Sequence, residues 1–249
     1  MRPFIEIPAA DGVAEAVVAR PESDGPHPGV ILFMDAIGLR PRIEEMADRI
    51  ASWGYVVLAP NTFYRSGTAA ETTPTSDLRD PEERAAYGKV SGAYLAVLTG
   101  ARMEADLPYY VTALRALEGV DAGPIGVTGY CMGARFSTRA AGLEPTVAAC
   151  GGFHGAELVT ADEDSPHTRL ATARAAFVYG HADQDRLNPA ESIATLEATL
   201  AAAGLEASSA VYPDAPHGYT MSDTSSYQEA GAERHFEELR ELFDRVLHQ

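Results

Sequence analysis

One short stretch restricts the fold of this chain more than any other. An apolar run over 125–128 leads directly into a G-x-C-x-G sequence centred on Cys131 and ending at Gly133. The run predicts a buried strand, and the two glycines predict a strand-to-helix turn too tight for larger flanking side chains. The sulfur then lies at a helix N-terminus, where the dipole and free N–H groups favour a thiolate and can hold an oxyanion. The stretch therefore predicts a nucleophilic thiol.

Strand-like and helix-like segments alternate along the rest of the chain, which predicts an α/β fold with a mostly parallel central sheet and helices on both faces. Strands are expected at 4–8, 14–20, 29–34, 55–59, 125–128, 147–150, 175–179 and 207–212, and helices at 42–53, 81–98, 103–117, 132–141, 188–203 and 229–247. The first two strands form an antiparallel pair. Residues 60–80 are polar, contain no clear element and are expected to form a lid or binding loop. A single domain over 1–249 is the simplest organisation.

The charge and cysteine content exclude several function classes. Acidic residues outnumber basic ones 36 to 19, and the net charge of −17 disfavours nucleic acid and anionic membranes as partners. No apolar run is long enough to cross a membrane. Cys131 and Cys150 are the only cysteines, so a disulfide framework is not expected and a cytoplasmic location is. We expect no metal and no cofactor, because neither metal-ligand spacing nor a phosphate or dinucleotide fingerprint occurs.

A thiol nucleophile requires a base and an acid that orients the base. His217, in a P-H-G sequence after the last strand, is the expected base. The acid is expected in the G-H-A-D-Q-D sequence after the strand at 175–179, where Asp183 is preferred and Asp185 competes with it. His181 is the rival base, but it lies in the acid turn. Cys150 lies in the middle of an apolar strand and is expected to be a core residue.

The chain resembles the dienelactone hydrolase family of α/β-hydrolases. The resemblance rests on the cysteine turn, on Gly180–Asp183, on Pro216–Tyr219 and on Met34–Gly38, and it extends from the strand at 29 to the final helix. The turn matches the G-x-S-x-G nucleophile turn of that fold with Cys in place of Ser, and the order nucleophile, acid, histidine is that of the fold. The resemblance therefore implies the α/β-hydrolase fold.

The family's site residues can be carried over by position. By resemblance, Cys131 is the nucleophile, His217 the base and Asp183 the acid that orients it. The oxyanion hole would consist of the backbone N–H groups of Ala36 and Met132. No metal or cofactor is implied.

Two positions depart from the dienelactone enzyme. Asp35 stands where that enzyme has a glutamate that modulates the thiol, and its shorter carboxylate either reaches Cys131 or caps the loop. Met221 stands where one substrate-binding arginine is expected, and the family's other arginine would fall near Arg84. The candidates to replace the missing arginine are Arg40, Arg65 and Arg84, and the aromatic residues that could line an apolar pocket are Phe63, Tyr64, Tyr87 and Phe153.

These observations predict a cysteine-dependent hydrolase of small esters or lactones that works through a thioacyl-enzyme. A general carboxylesterase or thioesterase on the same fold is one alternative. A non-hydrolytic scaffold that uses Cys131 to sense oxidants is another. The expected partner is a small-molecule substrate, and the expected assembly is a monomer or a small homo-oligomer.

Overall fold

The computed structural model describes residues 3–248, and its centre is one eight-stranded sheet in the order β1-β2-β4-β3-β5-β6-β7-β8. The strands are β1 (Ile5–Ala9), β2 (Gly12–Ala19), β3 (Gly29–Phe33), β4 (Val56–Pro60), β5 (Ile125–Tyr130), β6 (Val147–Phe153), β7 (Ala176–His181) and β8 (Ala207–Val211). β2 pairs antiparallel with β1 and β4, and all other pairs are parallel. The prediction of a mostly parallel sheet is confirmed. The single-domain expectation stays a prediction, and residues 1, 2 and 249 of its span lie outside the described residues.

Seven α-helices and one 3-10 helix are found in the described part of the chain. The α-helices are α1 (Pro41–Ala51), α2 (Ala69–Thr72), α3 (Pro81–Val97), α4 (Gly100–Ala116), α5 (Gly133–Leu143), α6 (Ala190–Ala202) and α7 (Glu229–Leu247). The 3-10 helix, Pro166–Thr172, lies between β6 and β7. The short helix α2 lies in the 60–80 segment, where no element was expected. Thr68 and Glu71 form a capping box at its start, which satisfies the first backbone donors of the helix.

Helices cover both faces of the sheet. On one face, α1 and α7 pack together, with an ion pair between Arg49 and Glu233. On the other face, the ring of Phe33 in β3 stacks on Phe136 of α5 at 4.9 Å between centroids and contacts Tyr110 of α4. Because both faces are covered, β3, β4 and β5 are buried along their whole lengths, as their apolar sequences indicate.

The parallel strands β3, β5, β6, β7 and β8 all end at the same edge of the sheet. The segments that follow them carry Asp35, Cys131, His154, Asp185 and His217. In open α/β sheets this edge is where ligands bind. The topology thus brings together side chains that are up to 182 positions apart in sequence, from Asp35 to His217.

Candidate active site

The turn that carries Cys131 is as tight as its sequence predicts. Cys131 has a φ of 54°, which non-glycine residues rarely adopt. A Cβ placed on Gly129 would lie 2.0 Å from the carbonyl oxygen of Gly133, and a Cβ on Gly133 would lie 2.3 Å from that of Phe33. Only glycine fits either position. The Cys131 N–H donates to the Phe153 carbonyl at 3.1 Å, which fixes the turn against the end of β6.

An imidazole and a carboxylate lie in line behind the thiol. His217 Nε2 is 3.0 Å from Cys131 Sγ, and His217 Nδ1 is 2.6 Å from Asp185 Oδ2. The Asp185 side chain is 4% exposed, and its second oxygen accepts the backbone N–H of Leu187 at 2.9 Å. The carboxylate is therefore shielded and oriented, and the imidazole is held with one nitrogen facing the sulfur.

The expectation that Asp183 orients the histidine is wrong in its geometry. Asp183 turns toward the neighbouring loop, where its carboxylate accepts the Asp214 N–H at 3.1 Å and its own N–H donates to the Ala215 carbonyl at 2.7 Å. The residue between the two carboxylates, Gln184, has a φ of 51°, and this left-handed step follows Asp183 and precedes Asp185. Asp185 is the carboxylate that contacts His217.

The surroundings of His217 favour its protonated form. Burial by itself would lower the pKa of His217, but the negative charge of the facing Cys131 sulfur and the hydrogen bond to Asp185 outweigh it. Together with the hydrogen bond to the sulfur, they raise the pKa of His217 from 6.5 to about 10. The raised pKa therefore favours an imidazolium whose Nε2 faces the sulfur.

Removing the sulfur is expected to lower the pH at which His217 titrates. Because the pKa of His217 is raised from 6.5 to about 10, we expect the wild-type imidazole to stay protonated through that range and to lose its proton above it. In Cys131→Ala the negative neighbour is gone while the burial penalty remains, so the proton leaves at lower pH. The measurement is an NMR titration of the His217 ring, assigned with a His217→Gln variant. An unchanged titration in Cys131→Ala would show that the sulfur carries no charge at that position.

Two backbone donors lie at the cavity beside the sulfur. Ala36 and Met132 both line the cavity that contains Cys131. Across residues 3–248, neither backbone N–H has an acceptor. Met132 occupies the N-cap position of α5, so its N–H is one of the donors that a helix leaves unpaired. Their freedom fits the predicted oxyanion hole, which stays a prediction.

Asp35 lines the same cavity as Cys131, and its carboxylate caps its own loop. Its carboxylate accepts the Ile37 N–H at 3.2 Å and pairs with Arg40 at 2.6 and 3.2 Å. Arg40 is 3% exposed and also contacts Asp223 at 2.6 and 3.1 Å. In the part of the chain that the structure describes, Asp35 makes no hydrogen bond to Cys131. Of the two alternatives for Asp35, loop capping is observed, because Arg40 occupies the carboxylate.

The cavity beside Cys131 has a volume of about 270 Å³ and a largely apolar wall. Its apolar side chains are Ile37, Leu78, Leu95, Met132, Leu187 and Met221. Arg84 and Tyr87 also line it, as expected. Arg84 contacts the Ser226 hydroxyl and lies 3.4 Å from the His217 carbonyl, and Tyr87 donates to the Thr72 and Ile37 carbonyls at 2.6 and 3.0 Å.

Several residues predicted to bind substrate lie elsewhere. Phe153 is fully buried, stacks on Tyr130 and meets His235 edge-on, so the expectation that its side chain lines the pocket is wrong. Its carbonyl instead holds the Cys131 N–H. Two of the three candidate arginines already have aspartate partners. Arg40 pairs with Asp35 and Asp223. Arg65 pairs with Asp11 and Asp106. Phe63 and Tyr64 do not line this cavity.

His154 is a cavity residue that the sequence did not single out. It follows β6 directly with a φ of 36°, and its ring lies edge-on to His217 at 5.3 Å between centroids. Its Nε2 is 2.8 Å from the Thr220 hydroxyl, while Nδ1 is buried and has no partner among the described residues. Burial, followed by the charges of His217 and His235, holds the pKa of His154 well below 6.5. A neutral imidazole therefore borders the site, and no motif signals it.

The described residues contain neither a group of His, Cys, Asp and Glu side chains arranged for a metal ion nor a helix able to cross a membrane. Within 3–248 both cysteines are free, with Cys131 partly exposed and Cys150 buried.

Comparisons with known proteins agree in both sequence and fold. A model of the dienelactone hydrolase family matches residues 14–247. A protein of Escherichia coli (strain K12) named "Putative carboxymethylenebutenolidase" is 30% identical over 244 residues, which cover 96% of this chain and 85% of that protein. A protein of the same name from Synechocystis sp. is 25% identical and covers 98% and 96%.

Solved structures reproduce the whole architecture. The crystal structure of a "Putative Dienelactone Hydrolase" from Klebsiella pneumoniae superposes with a TM-score of 0.83 at 24% identity and covers 98% of both chains. A dienelactone hydrolase-like promiscuous phosphotriesterase from metagenomic libraries superposes with a TM-score of 0.80 at 18% identity, again over 98% of both chains. At these identities the likeness concerns the fold, which is the α/β-hydrolase fold.

Proposed function

This chain belongs to the dienelactone hydrolase family and is a hydrolase of esters or lactones, and we propose that it works through a thioester on Cys131. The observation that carries the proposal is the 3.0 Å contact between Cys131 Sγ and His217 Nε2, with Asp185 2.6 Å behind the imidazole. A nucleophile, a base in hydrogen-bond reach and a third group that orients the base are the parts this chemistry requires.

In the first half of the reaction, the Cys131 thiolate attacks the carbonyl carbon of the ester or lactone. The C=O π pair moves onto oxygen, and in this proposal the free N–H groups of Ala36 and Met132 hold that oxyanion. As the oxyanion collapses, the bond from carbon to the alcohol oxygen breaks. His217 gives its proton to that oxygen, and the acyl group remains on sulfur as a thioester.

In the second half, water replaces the alcohol. His217, now neutral, takes a proton from water as the water oxygen attacks the thioester carbonyl. The carbon–sulfur bond breaks, and the thiolate and imidazolium are restored. Asp185 accepts the Nδ1 hydrogen bond throughout and stabilises the imidazolium each time it forms. A thiolate is also a good leaving group, so activated esters and enol lactones suit the mechanism better than amides.

The cavity supports a small, largely apolar substrate. Its wall is apolar, and Arg84 is a cation on that wall which contacts Ser226 and a backbone carbonyl. In the described part of the chain Arg84 has no carboxylate partner, unlike Arg40, which binds two. We propose that Arg84 accepts an anionic or strongly polar substituent of the substrate. A reducing, cytoplasmic location would keep the thiol active.

Trapping the acyl group tests the proposal. The wild-type protein is mixed with p-nitrophenyl acetate, quenched in acid and digested, and the peptides are weighed by mass spectrometry. An acetyl group is expected on the peptide that contains Cys131. Cys150 is the internal control, because complete burial raises the pKa of that thiol to about 12. Turnover with the adduct on a residue other than Cys131 would refute the mechanism.

The alternatives differ in what they require. A general carboxylesterase or thioesterase would use the same residues, and only a panel of lactones, oxygen esters and thioesters separates it from a lactone hydrolase. A thiol sensor requires neither a base nor an orienting acid. The position of Asp185 behind His217 therefore supports hydrolysis over sensing.

A further inference from the structure

Helix α3 forms one wall of the cavity while packing little against the rest of the fold. Among its 17 residues only Ser91 is buried. The residues that face the cavity are Arg84, Tyr87, Gly88, Ser91 and Leu95. Their spacing of three, four, seven and eleven positions from Arg84 defines a single face of the helix. That face forms part of the wall of the cavity that contains Cys131.

Gly88 is the one residue of that face without a side chain. A Cβ built on Gly88 meets no atom within 4 Å, so the backbone around it leaves open space. Its φ is not in the left-handed range, and it lies inside a regular helix, where glycine weakens the helix relative to alanine. Neither backbone conformation nor a close approach of another element therefore calls for glycine at this position.

What Gly88 does provide is volume at the cavity wall. We infer that Gly88 is a specificity-determining residue, because the missing side chain leaves room for the apolar part of a substrate longer than an acetyl ester. The inference rests on the proposed function, in that it assumes ester hydrolysis in the cavity beside Cys131. The neighbouring lining residues Leu95, Leu78 and Met221 are apolar and suit a hydrocarbon group in that space.

The chain offers a matched control in Gly92. It lies one turn further along the same helix, and a Cβ built on it also meets nothing within 4 Å, but it does not line the cavity. Gly88→Leu and Gly92→Leu therefore remove the same backbone freedom and add the same side chain. They differ in whether the substituted position lines the cavity, which Gly88 does and Gly92 does not.

The test compares kcat/KM in two substrate series for the wild type and both variants. One series keeps p-nitrophenol and lengthens the acyl chain from acetyl to hexanoyl, and the other keeps the acetyl group and enlarges the alcohol. In Gly88→Leu the ratio of long to short substrate should fall by about tenfold or more in at least one series. In Gly92→Leu both ratios should match the wild type.

The possible failures can be told apart. If Gly88→Leu leaves both ratios unchanged, or Gly92→Leu changes them equally, the inference about Gly88 is wrong. If the wild type hydrolyses neither series, the proposed function fails instead. Circular dichroism and thermal melting of both variants monitor the fold, and replacing a helical glycine should not lower the melting temperature.

Discussion

Cys131→Ala is expected to lower kcat for p-nitrophenyl acetate by about 10⁴-fold or more. The sulfur is the atom that attacks in the proposed mechanism, and without it His217 has nothing to activate except water held in no defined position. The remaining groups, the free N–H donors and the cavity, stabilise only a small residual rate. Initial rates at saturating substrate, measured beside a no-enzyme blank, give the ratio.

The same substitution is expected to leave the fold intact. Alanine retains the Cβ and the left-handed backbone of Cys131, and the turn is fixed by Gly129, Gly133 and the bond to Phe153, not by the sulfur. Cys150→Ala is the matched control, since it removes the other thiol from a fully buried strand position. It should lower the melting temperature yet keep turnover. A Cys131→Ala protein that still hydrolyses the ester would exclude this sulfur as the nucleophile.

The fold could be predicted because most of its strands and helices have a recognisable pattern in their local sequence. Buried parallel strands such as β3 and β5 are largely apolar runs, and several helices begin at a proline or a glycine, among them α1, α3 and α4. The helix α2 was missed, since four residues are too few to show a periodicity, although the Thr68 and Glu71 pair that caps it is present in the sequence. The 3-10 helix at Pro166–Thr172 has seven residues, which is still too short to show a helical periodicity in the sequence.

The site could be predicted only where chain order and backbone constraint determine it. The glycines around Cys131 and the position of His217 after the last strand are constraints of that kind. Phe153 was misplaced because a strand-end aromatic can face either the cavity or the core, and the pleat of β6 turns it inward. His154 was missed because its importance arises from its contact with His217, which lies 63 positions away.

The choice between Asp183 and Asp185 shows the limit most clearly. Both residues lie in one short turn, and either could face the histidine on chain order alone. What decides between them is a single left-handed residue, Gln184, together with the Asp214 N–H that Asp183 accepts. Neither feature can be recognised in the local sequence, because the first is the backbone angle of Gln184 and the second is a contact with a different loop.

Asp185→Asn is accordingly expected to lower kcat by about 10³–10⁴-fold, whereas Asp183→Asn should change it by less than about threefold. An asparagine at 185 can present its amide N–H to His217 Nδ1 and so stabilise the wrong tautomer, and it carries no charge to stabilise the imidazolium. At 183, an asparagine oxygen can still accept the Asp214 N–H. Steady-state kinetics of the two variants, prepared side by side, give the comparison.

The pH dependence separates a catalytic effect of Asp185→Asn from a structural one. The hydrogen bond to Asp185 is one of the contacts that raise the pKa of His217 to about 10. Its loss should move the His217 titration to lower pH, whereas a loop that merely loosened would reduce activity equally at every pH. Equal losses in Asp183→Asn and Asp185→Asn, with no movement of the titration, would mean that neither carboxylate orients the base. The thiol and imidazole would then have to work as a pair, with the 2.6 Å contact contributing only to packing of the loop.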